Sequence, residues 1–182
     1  MKTYIKVLVF LLTIFLILGN CSPMVVFAKE AGTETRFVYD DGNLLTAEEE
    51  RELQAIGEKY AQKKISVVFV TTTDTGGLTT QRFSNKFYDK HNFYNDGIQF
   101  VIDMQHREVY IDTVGQCIDI FQRHIERMLD KGFEYIYSGS YGSVFTSMFN
   151  YAEPYLKQVD PSKSSQDSLQ TMNAKLAFIG NK

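Results

Sequence analysis

The sequence predicts an α/β domain: a small mixed β-sheet covered by helices, in the order helix, strand, helix, strand, strand, helix, helix. Three observations carry that prediction. Residues 65–72 (ISVVFVTT) form a near-continuous β-branched and aromatic run, the pattern of a strand buried on both faces. Two further short apolar runs, residues 98–102 and 108–112, are joined by a connection so tight that they must form an antiparallel hairpin. Apolar residues at helical spacing lie before, between and after these runs.

The first helix is announced by Thr46-Ala47-Glu48-Glu49, a capping box. The Thr46 hydroxyl can accept from the Glu49 amide while the Glu49 carboxylate reaches back, and acids in the first turn suit the helix dipole. Leu53, Ile56 and Tyr60 follow at helical spacing, and the helix is expected to end near Lys64. After the first strand, Asp74-Thr75-Gly76-Gly77 is a turn. A second helix is expected from Thr80, with Phe83, Phe87 and Tyr88 facing inward. Asn95-Asp96-Gly97 is the turn into the hairpin. Ile118, Phe121, Ile125, Met128 and Leu129 then form one apolar stripe, read as one helix. Phe145, Met148, Phe149, Ala152, Tyr155 and Leu156 form the last.

The ends read differently from the middle. Lys2 and Lys6 precede twelve uncharged residues (7–18), and Val26-Phe27-Ala28 has the small-x-small form of a cleavage site. Residues 1–28 are therefore read as a signal peptide cut after Ala28, since a membrane span needs about 20 apolar residues. An uncleaved anchor and a lipoprotein site at Cys21, after Leu18-Gly19-Asn20, are the alternatives. These are the two routes by which the chain would stay on a membrane. Residues 29–36 are a short linker, residues 37–158 the folded domain, and residues 159–182 a flexible polar tail. Cleavage would leave Cys117 as the one thiol, so no internal disulfide is expected.

Composition narrows the function classes. The chain has 14 Phe, 11 Tyr and no Trp. Without residues 1–28 it keeps 17 of its 19 basic residues against 22 acidic ones, a net charge of −5. That balance argues against nucleic acid, which rewards basic surfaces. There is no G-x-S-x-G elbow, Walker A loop or H-E-x-x-H helix, and nothing calls for an organic cofactor. The scattered His91, His106 and His124 read as surface residues. Cys117 and Arg123 have the Cys-x5-Arg spacing of cysteine phosphatases. The five residues between them lack the glycine of a phosphate loop and belong to a helix stripe, so Cys117 reads as a packed thiol.

The carboxylates carry more. Asp40 and Asp41 stand beside Gly42-Asn43, Asp96 stands beside Gly97, and Asp74 and Asp103 close strands. Loop carboxylates bind hard cations such as calcium or magnesium. They also serve turns by bonding their own backbone. Asp40, Asp41 and Asp96 are the candidate metal ligands. Tyr135, Tyr137 and Tyr141 are candidates for a contact surface, although core packing explains most aromatics equally well.

Several of these segments together resemble the TPM domain family. Val38-Tyr39-Asp40 through Leu44-Leu45-Thr46 matches its acidic opening, and residues 65–72 match its β-rich segment. Asn95-Asp96-Gly97-Ile98, Arg107-Glu108-Val109 and Ser140-Tyr141-Gly142 match later positions. The resemblance spans residues 37–156, and residues 71–77 and 111–115 resemble a branch of exported bacterial proteins. It implies an α/β fold with a mixed sheet, and work outside the cytoplasm, often in upkeep of membrane complexes. It also implies, for some members, acid phosphatase activity or calcium or magnesium binding, with Asp40 and Asp96 at the matching acidic positions. The family's Asp-Asn-Gly is Asn95-Asp96-Gly97 here, and its G-x-G after the hairpin is reduced to Gly115, which weighs against a phosphatase site. Two functions follow: a non-enzymatic accessory module binding a protein partner or envelope component, or a metal-dependent phosphatase with Arg107 as cationic clamp.

Overall fold

A computed structural model gives the structure of residues 32–163. The chain runs β1 (Val38–Asp40), α1 (Ala47–Ala61), β2 (Ser66–Thr72), α2 (Thr80–Lys90), β3 (Gly97–Asp103) and β4 (Glu108–Val114). Three helices follow: α3 (Gln116–Phe121), α4 (Ile125–Ile136) and α5 (Tyr141–Leu156). The sheet order is β1-β2-β3-β4, with the first three strands parallel and β4 antiparallel to β3. The α/β architecture with a mixed sheet is as the sequence predicts.

Burial explains the layers. Every residue of β2 and β3 is buried, so both faces of the sheet must be covered. Side chains alternate across the pleat. Val67, Phe69, Ile98, Phe100 and Ile102 enter the larger core with Leu53 and Tyr60 of α1 and with α3, α4 and α5. Val68, Val70 and Val101 enter a smaller core with Tyr88 of α2 and with Phe37, Tyr39 and Phe93. Phe69 and Phe100 stack with centroids 5.5 Å apart, and Phe145 meets Phe69 edge-on at 5.4 Å. Such pairs add about 0.5–1.5 kcal/mol beyond their buried area.

The helix positions set the topology. The connections β1–α1–β2 and β2–α2–β3 step in the same direction between adjacent parallel strands, yet α1 and α2 pack on opposite faces. The two crossovers therefore have opposite hands, and one of them is the left-handed form that only about 2% of such connections adopt.

Three features depart from the sequence prediction. β1 is an additional strand of only three residues, too short to show a period, and it exists through its pairing with β2. The stripe from Ile118 to Leu129 is two helices, not one. The chain breaks at residues 122–124, where the His124 N–H turns back onto the Phe121 carbonyl at 2.7 Å. The break changes the facing residues: Cys117 and Phe121 are buried while Ile118 is 51% exposed. Finally, the folded unit extends beyond residue 158. Val159 is buried in the larger core, and Asp160 is tied to Gln116 by two hydrogen bonds. The expected signal peptide, with Cys21, and residues 164–182 of the expected tail lie outside the described residues.

The capping box of α1 forms as expected: Glu49 N–H donates to Thr46 Oγ1 at 3.3 Å, and Thr46 N–H donates to the Glu49 carboxylate at 2.8 Å. Further along the same helix, Gly57 is a packing residue. A Cβ there would lie 2.2 Å from the Phe37 Cβ. On helix propensity alone, Gly57→Ala should stabilise by about 1 kcal/mol. Overpacking of that severity costs about 1–3 kcal/mol and wins. Gly57→Ala is thus expected to lower the urea midpoint with an unchanged slope, and a raised midpoint would contradict this packing.

Candidate functional site

The three carboxylates singled out as metal ligands occupy two places. Asp40 ends β1. Its two oxygens accept the Leu44 and Leu45 amides, each at 3.0 Å, and Oδ1 also accepts the Thr71 hydroxyl of β2. Thr71 Oγ1 in turn accepts the Gly42 amide at 3.0 Å. Asp40 therefore shapes the loop into α1 and fastens it to β2. Asp41 is exposed in that loop.

Asp96 precedes β3 and is only 2% exposed. It accepts the Gln116 backbone amide at 2.8 Å and the Gln116 side-chain amide at 3.1 Å. Gln116 also donates to the Asp160 carbonyl at 2.8 Å. Gly115 permits this close approach. A Cβ there would stand 2.3 Å from Asp96 Oδ1, and its φ of +64° is one that favours glycine. Asp96 thus joins the start of β3, the start of α3 and the chain after α5.

The structure does not bring these residues together. Asp40 pairs with Thr71, and Thr71 pairs with Ile102. Asp96 lies six residues before Ile102, roughly 20 Å away along the strand. A calcium ion holds its ligands at about 2.3–2.6 Å, so no single ion can touch both Asp40 and Asp96. Among the described residues, no group of three or more His, Cys, Asp or Glu side chains is arranged to hold a metal. Cys117 is fully buried, and burial, reinforced by the charge of Asp96, pushes its thiol up to about 12. That is the opposite of the activated thiolate a cysteine nucleophile requires.

Sequence reasoning missed a more organised polar group at the C-terminal end of the parallel strands. Asp103 is completely buried. Oδ1 accepts the amides of Gln105 at 2.9 Å and His106 at 3.2 Å, closing the hairpin turn. Oδ2 lies 2.7 Å from His106 Nδ1 and accepts the Thr80 hydroxyl of α2 at 2.8 Å. The Glu108 carboxylate also lies within hydrogen-bond reach of Thr80 Oγ1 and competes for the same hydroxyl hydrogen. Burial alone would raise the Asp103 pKa, but the bonds from His106, Thr80 and the two amides together hold it below the ordinary carboxylate value. The spacing Asp103-x-x-His106 was the available signal. A turn Asp and a surface His seldom mean more than that, and only Thr80, 23 residues upstream, completes the group.

Beside this group lies a cleft of about 340 Å³. The hairpin contributes Ile102, Met104, Arg107 and Val109, and α4 contributes Phe133 and Ile136. Tyr137 and Tyr141 flank the connection from α4 to α5. Phe133 is 43% exposed and Tyr137 is 95% exposed. Of the three tyrosines expected at a contact surface, Tyr137 and Tyr141 line this cleft, and Tyr135 is exposed elsewhere on the same helix.

The fold defines a class of protein: an α/β unit with three parallel strands, an antiparallel edge strand and helices on both faces. The family model for the TPM domain matches residues 38–153. The chain belongs to the TPM domain family. A solved structure, the N-terminal domain of a protein from P. gingivalis, shares the fold with a TM-score of 0.55 at 17% identity. The match covers 68% of this chain and 85% of that one. No curated protein matches the chain.

The Asp103 group makes a pH prediction. Its folded pKa lies below the ordinary value, so its contribution is complete above about pH 4 and fades as pH falls through the folded pKa. Asp103→Asn should cost about 1–3 kcal/mol at pH 7. In urea unfolding from pH 7 to pH 2, the gap to the parent protein should narrow below about pH 4. A gap independent of pH would show that the carboxylate charge contributes nothing.

Proposed function

We propose that this protein works outside the cytoplasm as a non-enzymatic accessory module that docks on a protein partner or envelope component through the cleft between the β3–β4 hairpin and α4. The observation that carries the reading is the exposure of Phe133 and Tyr137 beside an apolar cleft. Large apolar groups left in water cost free energy, and aromatic anchors beside a pocket are the usual centre of an interface. The basic start and twelve-residue uncharged run at the N-terminus support export by a cleaved signal peptide. A calcium or magnesium ion has a place in this proposal only at Asp40 and Asp41, because Asp96 is engaged by Gln116 at the other end of the sheet.

The phosphatase reading has less support. It needs a cation, an activated water and a cationic clamp in one site. Arg107 stands at the same end of the sheet as Asp40, two strands away, whereas Asp96 stands at the opposite end.

The test compares the parent protein with a Phe133→Ser, Tyr137→Ser variant. Both side chains are exposed, so the melting temperature should be unchanged. Affinity for a partner cross-linked from the cell envelope should fall about tenfold or more, since anchors of this type are worth about 2 kcal/mol. Equal binding by the two proteins would remove the cleft from the interface. Phosphate release from p-nitrophenyl phosphate that disappears in Asp40→Asn or Arg107→Ala would overturn the non-enzymatic reading.

A further inference from the structure

The two edges of the sheet are not equivalent. β1 is three residues long, and the Arg36 Nε–H closes it by donating to the Val38 carbonyl at 2.7 Å. β4 is seven residues long, and among the described residues no strand pairs with its outer side. Exposed strand edges are templates for a further strand unless they are blocked.

Which groups of β4 face outward follows from the ladder. Ser66 N–H donates to the Asp96 carbonyl at 3.0 Å, and Met104 N–H donates to the Thr72 carbonyl at 2.8 Å. The even-numbered residues of the β3 segment therefore bond β2, and Gly97, Gln99, Val101 and Asp103 bond β4. Their partners are Val114, Asp112, Tyr110 and Glu108. Backbone groups alternate along an antiparallel pair, so Val109, Ile111 and Thr113 point their N–H and C=O away from the sheet. The Thr113 N–H is closed by Asp112 Oδ1 at 2.9 Å. The outward groups of Val109 and Ile111 have no bond among the described residues.

Val109 links this edge to the cleft. Its backbone faces outward, and its side chain lines the cleft with Phe133, Ile136 and Tyr137. Charge adds a further requirement. Arg107 is exposed at the mouth of the cleft, in a left-handed backbone conformation of φ +57°, with no carboxylate partner among the described residues. The neighbouring Glu108 is turned toward Thr80.

We propose that the β4 edge takes up an extended apolar segment of a partner protein as a fifth strand, with its apolar side chains in the cleft and an acidic side chain against Arg107. The inference rests on the reading of the cleft as the docking site and adds the chemistry of what docks there. Main-chain bonds to Val109 and Ile111 would give affinity, the cleft would select every second side chain, and Arg107 would set the register.

The test is selection of binders from a phage-displayed random heptapeptide library on the purified protein, followed by amide exchange measured by NMR with the best synthetic heptapeptide. Selected sequences should alternate apolar and polar residues and carry an Asp or Glu toward one end. Saturating peptide should slow exchange at Val109 and Ile111 about tenfold or more. Arg107→Ala should weaken binding about tenfold, more at low salt than at high salt. Val109→Pro removes one outward N–H at an edge position that tolerates proline, and should also weaken binding. If the peptide shifts Phe133 and Tyr137 but leaves Val109 and Ile111 exchange unchanged, the fifth strand is wrong and the docking cleft stands. If no peptide is enriched, or the peptides bind away from the cleft, both fall.

Discussion

Burial of β2 and β3 on both faces constrains everything around them. A strand whose every side chain leaves water needs a helix layer above and below, and its backbone must be paired on both edges. β1 and β4 supply the pairing, α2 covers one face, and α1 with α3 to α5 covers the other. The stacked Phe69 and Phe100 lie where these demands meet, since each belongs to a central strand and to the larger core. The opposite hands of the two crossovers are a consequence. With α1 and α2 drawn to different faces, one connection had to take the less common hand.

The acidic residues at the strand ends act within that frame as fasteners. Asp40 closes the loop into α1, Asp103 closes the hairpin, and Asp96 joins β3 to α3 and to the chain after α5. Each carboxylate accepts backbone amides of the adjoining loop or helix start, all of them part-buried. A further polar set lies inside, where Gln99 donates to Ser84 and Ser84 donates to Asp112. Burial raises the Asp112 pKa, consistent with a carboxyl held away from water.

The surface that is left over carries the functional argument. The hairpin and the end of α4 do not close on one another, and Phe133 and Tyr137 remain in solvent beside Val109 and Arg107. An apolar cleft next to a strand edge that is unpaired among the described residues combines a directional, main-chain form of recognition with a side-chain one. The opposite edge, shorter and closed by Arg36, lacks both features.

Local chemistry made much of this legible in the sequence. The capping box of Thr46 and Glu49, the buried run of β2, the hairpin and the packed Cys117 depend on neighbours a few residues apart, and all formed as read. The α/β class followed from their order, and the family from their spacing. Three things required the tertiary structure. β1 is stabilised by a partner 31 residues away, the break between α3 and α4 turns Ile118 outward, and the buried group around Asp103 needs Thr80. The separation of Asp40 and Asp41 from Asp96 likewise became visible only in the tertiary structure. The sequence places Asp96 at the start of a strand but shows no strand before Asp40, so it could not show that the two acids stand at opposite ends of the sheet. Only the packed sheet decides that, because β1 is defined by its parallel pairing with β2, and that pairing aligns Asp40 with the end of β3 opposite to Asp96.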